Sequence, residues 1–392
     1  MISDKVSLYV HIPFCQHRCA YCDFNTYTGL GDLQSAYAAA VAAEVAQTGR
    51  AGALHARAPL SVHTVFFGGG TPSLMAPPDL ARILQSVRDS FVLDPVAELT
   101  MEANPGTVDA AYLDEVRALG INRLSFGMQS AIGSELALLE RTHDYAAVRE
   151  AVALSRAAGF ENVSLDLIYG LPGQTLASWQ QSLEAALALE PEHLSLYCLT
   201  IEPGTPMQRW LDDGRIEAPD PDLAAAQYEL ACARLAQAGW EHYEISNWAQ
   251  PGYACRHNLT YWRNDSYLGL GAGAHGHAAG YRYQIVKQPR TYLRRMASGT
   301  PGDYPLSAAV AAAHRLDEAE AMADTVITQL RLLYEGLDMA AFAQRFGRSL
   351  REAYGETVEQ LVDWGLVREE GEKLLLTERG WFLSNQVFYR FL

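Results

Sequence analysis

Positive charge is scarce in this chain. Its 392 residues hold 30 Lys and Arg against 46 Asp and Glu, a net charge of −16. A surface of that sign repels phosphate backbones, and no local basic cluster stands out, so nucleic acid is not expected as a partner. Long apolar runs are missing too. No stretch of 18 apolar residues occurs, so no transmembrane helix is expected. The opening MISDKVSLYVHI lacks the charged region and apolar core of a signal peptide. A soluble, cytoplasmic protein is the expectation. Internal repeats and low-complexity tails are absent. Cysteine is sparse, with six residues in all. A large chain in a reducing compartment does not need disulfides. Cys198 and Cys232 lie in strand-like and helix-like apolar runs and read as core residues.

What is present is order. Strand-like runs recur at 6–12, 63–68, 97–103, 122–129, 162–170 and 193–201, separated by Ala/Leu-rich amphipathic stretches. Six β-then-α units predict a parallel sheet, and right-handed crossovers curl it into a barrel or an open partial barrel. Within five of the strands apolar and polar residues alternate. Leu8, Val10 and Ile12 alternate with Ser7, Tyr9 and His11; Leu165 and Leu167 alternate with Ser164 and Asp166. Parallel strands covered on both faces are usually apolar on both. One polar face therefore predicts a hollow that takes a ligand.

The pattern changes near 241. Residues 241–304 are rich in Gly, His and aromatics and read as an edge extension with functional loops; His275 and His277 are placed in a loop closing the barrel edge. Helical stretches follow over about 307–362, then a hairpin and a last helix, a winged-helix-like arrangement. In so acidic a chain it is expected to be structural or a lid. The division is thus 1–240, 241–304 and 305–392.

Half the cysteines crowd one loop: Cys15, Cys19 and Cys22, a C-x₃-C-x₂-C at the carboxyl end of strand one, where parallel sheets bind ligands. Structural zinc needs four closed ligands, with His17 as a fourth candidate. A redox pair would use Cys19 and Cys22 and leave Cys15 idle. Three thiolates suit a four-iron cluster with one iron left open. All three readings stand on spacing alone, the cluster foremost.

C-x₃-C-x₂-C, together with YVHIPFC, FFGGGTPS, MEANPGT, SFGMQS and DLIYGLPGQT, resembles the radical S-adenosylmethionine (SAM) superfamily, and within it the anaerobic coproporphyrinogen III oxidase-like branch that includes the haem chaperones called HemW. The likeness runs through nearly the whole chain. It implies an α/β partial (β/α)₆ barrel with a C-terminal domain, and a 4Fe–4S cluster on Cys15, Cys19 and Cys22. It also implies S-adenosylmethionine on the open iron, with Gly69, Gly70 and Thr71 at its amino end. By the same resemblance Glu102 accepts from the ammonium, Gln129 bonds ribose or the amino acid part, Arg141 (placed in a helical stretch) holds the carboxylate, Asp166 binds ribose hydroxyls and Tyr9 lies beside the cosubstrate.

Two chemistries remain within that branch. Oxygen-independent coproporphyrinogen III dehydrogenases carry an extra cysteine two residues after the third ligand, where this chain has Phe24, and a longer N-terminal segment than the 14 residues before Cys15. HNLTYW (257–262) instead matches an element of the haem chaperones. It implies His257 as a haem ligand, with Tyr261 and Trp262 as flat apolar surface. The expectation is a haem chaperone passing haem to other proteins, respiratory ones by family implication, which would bring it to a membrane without an anchor of its own. Homodimerisation is compatible with the sequence and not set by it.

Overall fold

The computed structural model describes residues 5–392; Met1–Asp4, part of the stretch read against a signal peptide, lie outside the described residues. The first part alternates strand and helix: β1 (Lys5–Ile12), α1 (Gln34–Ala56), β2 (Ser61–Gly69), α2 (Pro77–Ser90), β3 (Val92–Ala103), α3 (Ala110–Ala118), β4 (Arg123–Gln129), α4 (Gly133–Leu138), α5 (Tyr145–Ala157), β5 (Val163–Tyr169), α6 (Leu176–Leu187) and β6 (His193–Cys198). Next come α7 (Pro206–Asp212), α8 (Pro221–Gln237), β7 (Glu241–Glu244), β8 (Asn247–Ala249), α9 (Arg256–Trp262), β9 (Tyr267–Leu270), β10 (His275–Ala278), β11 (Tyr281–Ile285), α10 (Pro289–Ser298) and β12 (Val310–Arg315). The chain closes with α11 (Glu318–Gln329), β13 (Leu337–Asp338), α12 (Met339–Phe346), α13 (Leu350–Asp363), β14 (Val367–Glu370), β15 (Lys373–Leu376), α14 (Glu378–Phe382) and α15 (Ser384–Phe388).

Strands β1 to β6 pair in parallel in sequence order, as βαβ units dictate. Beyond β1 the sheet continues through β9, β10, β11 and β12; beyond β6 it continues through β8 and β7. The ends do not meet, so the barrel is open. Leu8, Val10, Ile12, Val65, Phe67, Leu99, Met101, Leu124, Phe126, Leu165 and Leu194 are buried in one core under the helices. α2 shows why: Leu80, Ile83, Leu84 and Val87 fall on one helical face and are all buried. Reciprocal side-chain caps fix where α6, α11 and α13 begin, through Thr175–Ser178, Asp317–Glu320 and Ser349–Glu352.

The gap in the barrel is sealed by two elements. Residues 316–333 span it: Leu316 N–H donates to the Gly280 carbonyl (2.9 Å) and Arg282 pairs with Asp324 (2.7 Å) at one edge, while Leu333 N–H donates to the Tyr243 carbonyl (3.1 Å) and Arg331 reaches the fully buried Glu244 (3.1 Å) at the other. Helix α9 plugs the floor. The Glu98 carboxylate accepts from the backbone N–H groups of Arg256 (3.0 Å) and His257 (3.1 Å) at its start.

The small C-terminal sheet, in the order β13-β15-β14, has its own apolar core around Val326, Phe342, Leu361 and Leu374. Its helix, hairpin and helix agree with a winged-helix arrangement. Two local expectations change. The alanine-rich stretch read as helix from about 307 contains the outermost strand of the large sheet, β12, because β11 offers it a free edge to pair with. A division at 305 therefore cuts that sheet. His275 and His277 stand on strand β10, not in a loop. Among the described residues no helix is long and apolar enough to cross a membrane.

Candidate functional site

The carboxyl ends of the parallel strands surround a cavity of about 430 Å³, within the range of small-molecule sites. The cysteine loop forms its rim. Cys15, Cys19 and Cys22 line it together with Gly69, Gly70, Thr71, Glu102, Gln129, Arg141 and Asp166. Ten of the fourteen residues singled out in the sequence thus meet in one place. They come from β1, β2, β3, β4, β5 and the turns behind them, and only the folded sheet joins them.

The loop is held at both sides. Ala20 N–H donates to the Leu139 carbonyl (3.2 Å), and the Ala20 carbonyl accepts from Met207 N–H (3.0 Å). The Thr71 hydroxyl donates to the Cys15 thiol (3.6 Å) and the Arg141 guanidinium to the Cys19 thiol (3.5 Å). Burial pushes the Cys15 and Cys22 thiols up, and the neighbouring cysteines add to the rise. Among the described residues no three His, Cys, Asp or Glu side chains converge tightly enough for one ion. Three soft thiol donors in one loop fit a cluster that takes one iron per cysteine. His17, the candidate fourth ligand, lies 3.7 Å from Glu140 at the surface.

Packing also requires the two glycines. Gly69 has φ +112°, and a Cβ there would fall 2.4 Å from the His11 ring; at Gly70 it would fall 2.7 Å from the Phe14 carbonyl oxygen. They are small because β2 ends against β1. The Gly69 N–H is already taken by the Glu102 carboxylate (3.0 Å). Glu102 is recessed in the cavity; burial and then the Asp166 carboxylate raise it to about 7. Asp166 is raised too, by burial, while the Ser195 and Ser125 hydroxyls and Arg123 oppose the rise; Ser125 donates to it at 3.1 Å. Two carboxyl groups in one hollow, one of them half-neutral near pH 7, are poised to receive a cationic ligand.

Gln129 is aimed inward by a local irregularity. The β4–β5 ladder slips between Gly127 and Gln129, and Gln129 takes φ +64°. A positive φ is uncommon for a non-glycine residue, and here it accompanies the slip that puts Gln129 in the cavity lining. Arg141 stands in the turn after α4 rather than in a helix. Its guanidinium also donates to Asn104 Oδ1 (2.5 Å) and the Gly127 carbonyl (2.9 Å), bridging cluster loop and cavity wall. Sequence reasoning missed Asn104 as a site residue, although it sits in the MEANPGT run. Cys198, read as core, is exposed at the end of β6 and lines the cavity; Cys232 is half-buried.

Tyr9 lies below the cavity, its hydroxyl on His11 Nδ1 (3.0 Å). Burial, then Glu102, keeps that hydroxyl protonated. Beneath it the HNLTYW element departs from expectation. His257 is 1% exposed, with Nδ1 on the Thr64 hydroxyl (2.7 Å) and Nε2 on the Tyr261 hydroxyl (2.8 Å). Its ring stacks on Phe66 at 5.0 Å. Burial, then His63 and Arg123, lowers it to about 3. Trp262 is covered by the Arg331 guanidinium, 4.2 Å from its ring. In this ligand-free fold the element forms the barrel's floor, and both imidazole nitrogens of His257 are engaged by hydroxyls.

Two family models match the chain: the radical SAM superfamily over residues 9–186 and the HemN C-terminal domain over residues 316–383. A heme chaperone HemW from Mycobacterium tuberculosis is 40% identical over 99% of this chain and 95% of its own length. One from Bacillus subtilis is 35% identical over 98% and 99%. Among solved structures, the coproporphyrinogen III oxidase HemN from Escherichia coli, a radical SAM enzyme, shares the fold with a TM-score of 0.83 at 24% identity, over 99% of this chain and 90% of that one. With cysteine loop, open barrel and near full-length identity in agreement, the chain belongs to the HemW family of radical SAM proteins.

Proposed function

We propose that this protein is a haem chaperone: it binds haem and passes it to haem-dependent proteins, respiratory ones among them, in the cytoplasm. The observation that carries the reading is the 40% identity to a heme chaperone HemW across 99% of the chain. In this reading Cys15, Cys19 and Cys22 hold a 4Fe–4S cluster and the cavity beside them receives S-adenosylmethionine. The cluster, when bound, supplies an open iron and an electron.

The chain's own residues do the rest. Glu102 and Asp166 offer carboxylates to an ammonium and to ribose hydroxyls. Arg141 fixes the cysteine loop and leaves a cationic edge toward the cavity for a carboxylate. Gln129 offers an amide from a strained, pre-aimed backbone. Residues 1–240 carry this centre, 241–304 the edge extension, and the part after β12 the structural seal. Phe24, 62% exposed at the rim, stands where a dehydrogenase of coproporphyrinogen III would have a cysteine.

The test is transfer. Haem-loaded protein is mixed anaerobically with a haem-free acceptor and the Soret band of each is followed. Movement of haem to the acceptor supports the reading. A protein that releases none, and instead converts coproporphyrinogen to protoporphyrinogen, is the alternative enzyme.

A further inference from the structure

Arg123 opens β4 in the run NRLSFGMQ, and an arginine is rarely buried unless it is paired. Here it is 2% exposed. Among the described residues its Nε has no hydrogen-bond partner and no carboxylate forms an ion pair with it. Alternation explains where it points. Leu124 and Phe126 are buried in the core under the helices, so Arg123, Ser125 and Gly127 face the hollow of the barrel.

The ladder fixes its level. Across β3 and β4, Arg123 lies opposite Thr100 and Ser125 opposite Glu102; across β4 and β5, Gly127 lies opposite Asp166. Arg123 therefore belongs to the row beneath Glu102. Two residues along a strand span about 7 Å, within reach of so long a side chain. Thr100, its neighbour in that row, also leaves its hydroxyl without a partner.

The groups that face the guanidinium come from every side. They are Cys255 from the turn before α9, Glu98 from β3, Tyr243 from β7 and Asp166 from β5. His193 of β6 and His257 of α9 feel its charge and are neutral. Burial keeps Cys255 and Tyr243 protonated. Glu98 is committed to the backbone N–H groups at the start of α9. That leaves the two acids of the cavity, Asp166 and Glu102, and the positive charge of Arg123 favours the ionised form of both.

The hollow needs such a charge. Two carboxyl groups sharing one site do not both ionise without a cation nearby. Arg141, also at this cavity, is engaged by Asn104, the Gly127 carbonyl and Cys19. Burying an unpaired charge is costly, and packing alone is served as well by an apolar side chain.

We infer that Arg123 is a positioning residue: its unpaired guanidinium, set beneath Glu102 and Asp166, keeps carboxylate charge in the hollow for a cationic ligand. It does not line the cavity and acts through the two acids. The inference rests on the reading of the cavity as an S-adenosylmethionine site and deepens it.

The experiment is a calorimetric titration of the full-length, cluster-reconstituted protein with S-adenosylmethionine at pH 6, 7 and 8. It compares wild type, Arg123→Lys, Arg123→Gln and Thr100→Asp, with thermal melting to check that each variant folds. Lysine keeps the charge and glutamine removes it. Aspartate at 100 hands the guanidinium a partner across the ladder. For Arg123→Gln and Thr100→Asp the rise of affinity with pH should move to higher pH, with Kd raised about five- to tenfold at pH 6 and 7 and the gap narrowing by pH 8. Arg123→Lys should keep the wild-type profile. A profile that matches wild type in the folded Arg123→Gln and Thr100→Asp proteins overturns the assignment and leaves the cavity reading intact. A loss equal at every pH and shared by Arg123→Lys also overturns it, because packing alone produces that. Variants that all fail to fold make Arg123 structural and overturn it too. If wild type itself takes up no S-adenosylmethionine, the cavity reading fails and this role fails with it.

Discussion

The Asn25 side-chain amide donates to the Ala272 carbonyl at 3.0 Å, joining the cysteine loop to the edge extension some 247 residues later in the chain. The same amide reaches the Lys287 carbonyl, and the Asn25 carbonyl accepts from His11 Nε2 at 3.0 Å. A Cβ on Gly273 would strike Asn25 at 2.2 Å, so the glycine is what lets the two segments close up. The loop that would hold the cluster is thus set by contacts from outside the six parallel strands.

Asn25→Ala removes both side-chain donors while leaving every cysteine. Each lost bond costs about 1 kcal/mol, so the fold survives and the loop loosens. The expected outcome is normal iron content on reconstitution with faster cluster loss under a chelator, measured by the decay of the cluster's absorbance. Unaltered decay would mean that the loop is held without this clamp.

Cys19→Ala takes away one of three ligands and the thiol that Arg141 touches. Iron and acid-labile sulfide should fall to near zero after anaerobic reconstitution, with little change in melting temperature of the metal-free protein. Full iron content in this variant would contradict the three-thiolate assignment.

Glu102 governs the pH dependence of the cavity. Its carboxyl is held at about 7 against 4.5 unperturbed. It is mostly neutral at pH 6 and mostly ionised at pH 8 in the ligand-free fold. Raised in the fold, it makes the ligand-free protein lose stability as pH climbs from about 4.5 through about 7. The ammonium of S-adenosylmethionine favours the ionised form, so its affinity should rise across pH 6 to 8, by up to about tenfold per unit below 7. Calorimetric titration at three pH values checks this, and Glu102→Gln should flatten the profile.

His257 supports the floor. Lowered to about 3 from 6.5, it stays neutral in the fold and protonates in the unfolded chain. Its contribution is complete above pH 6.5 and is lost as pH falls toward 3, at about 1.4 kcal/mol per pH unit. His257→Ala strands the Thr64 and Tyr261 hydroxyls and should cost about 2–4 kcal/mol. Urea denaturation at pH 7.5 and pH 5.5 reads both effects. Haem titration of the folded variant at the Soret band tests His257 as a haem ligand: weakened binding supports that role and unchanged affinity removes it.

Much of the site is legible in the chain because it lies at strand ends. The C-x₃-C-x₂-C spacing and the alternation of Glu102, Ser125 and Asp166 with apolar neighbours are local patterns that the sheet preserves. Other features depend on what the fold brings near. HNLTYW reads as a surface element because its Tyr, Trp and His are amphipathic; only an open barrel gives it an interior to fill. The alanine-rich run before Arg315 favours helix by propensity, yet it pairs with β11 because that edge is free. Gln129 looks like an ordinary strand residue, and its inward turn comes from a slip in the ladder.

The most direct measurement is an anaerobic haem titration of the reconstituted protein, run beside a coproporphyrinogen turnover assay on the same sample. A saturable haem complex without protoporphyrinogen formation is the expected result. Robust turnover with no stable haem complex would contradict the account.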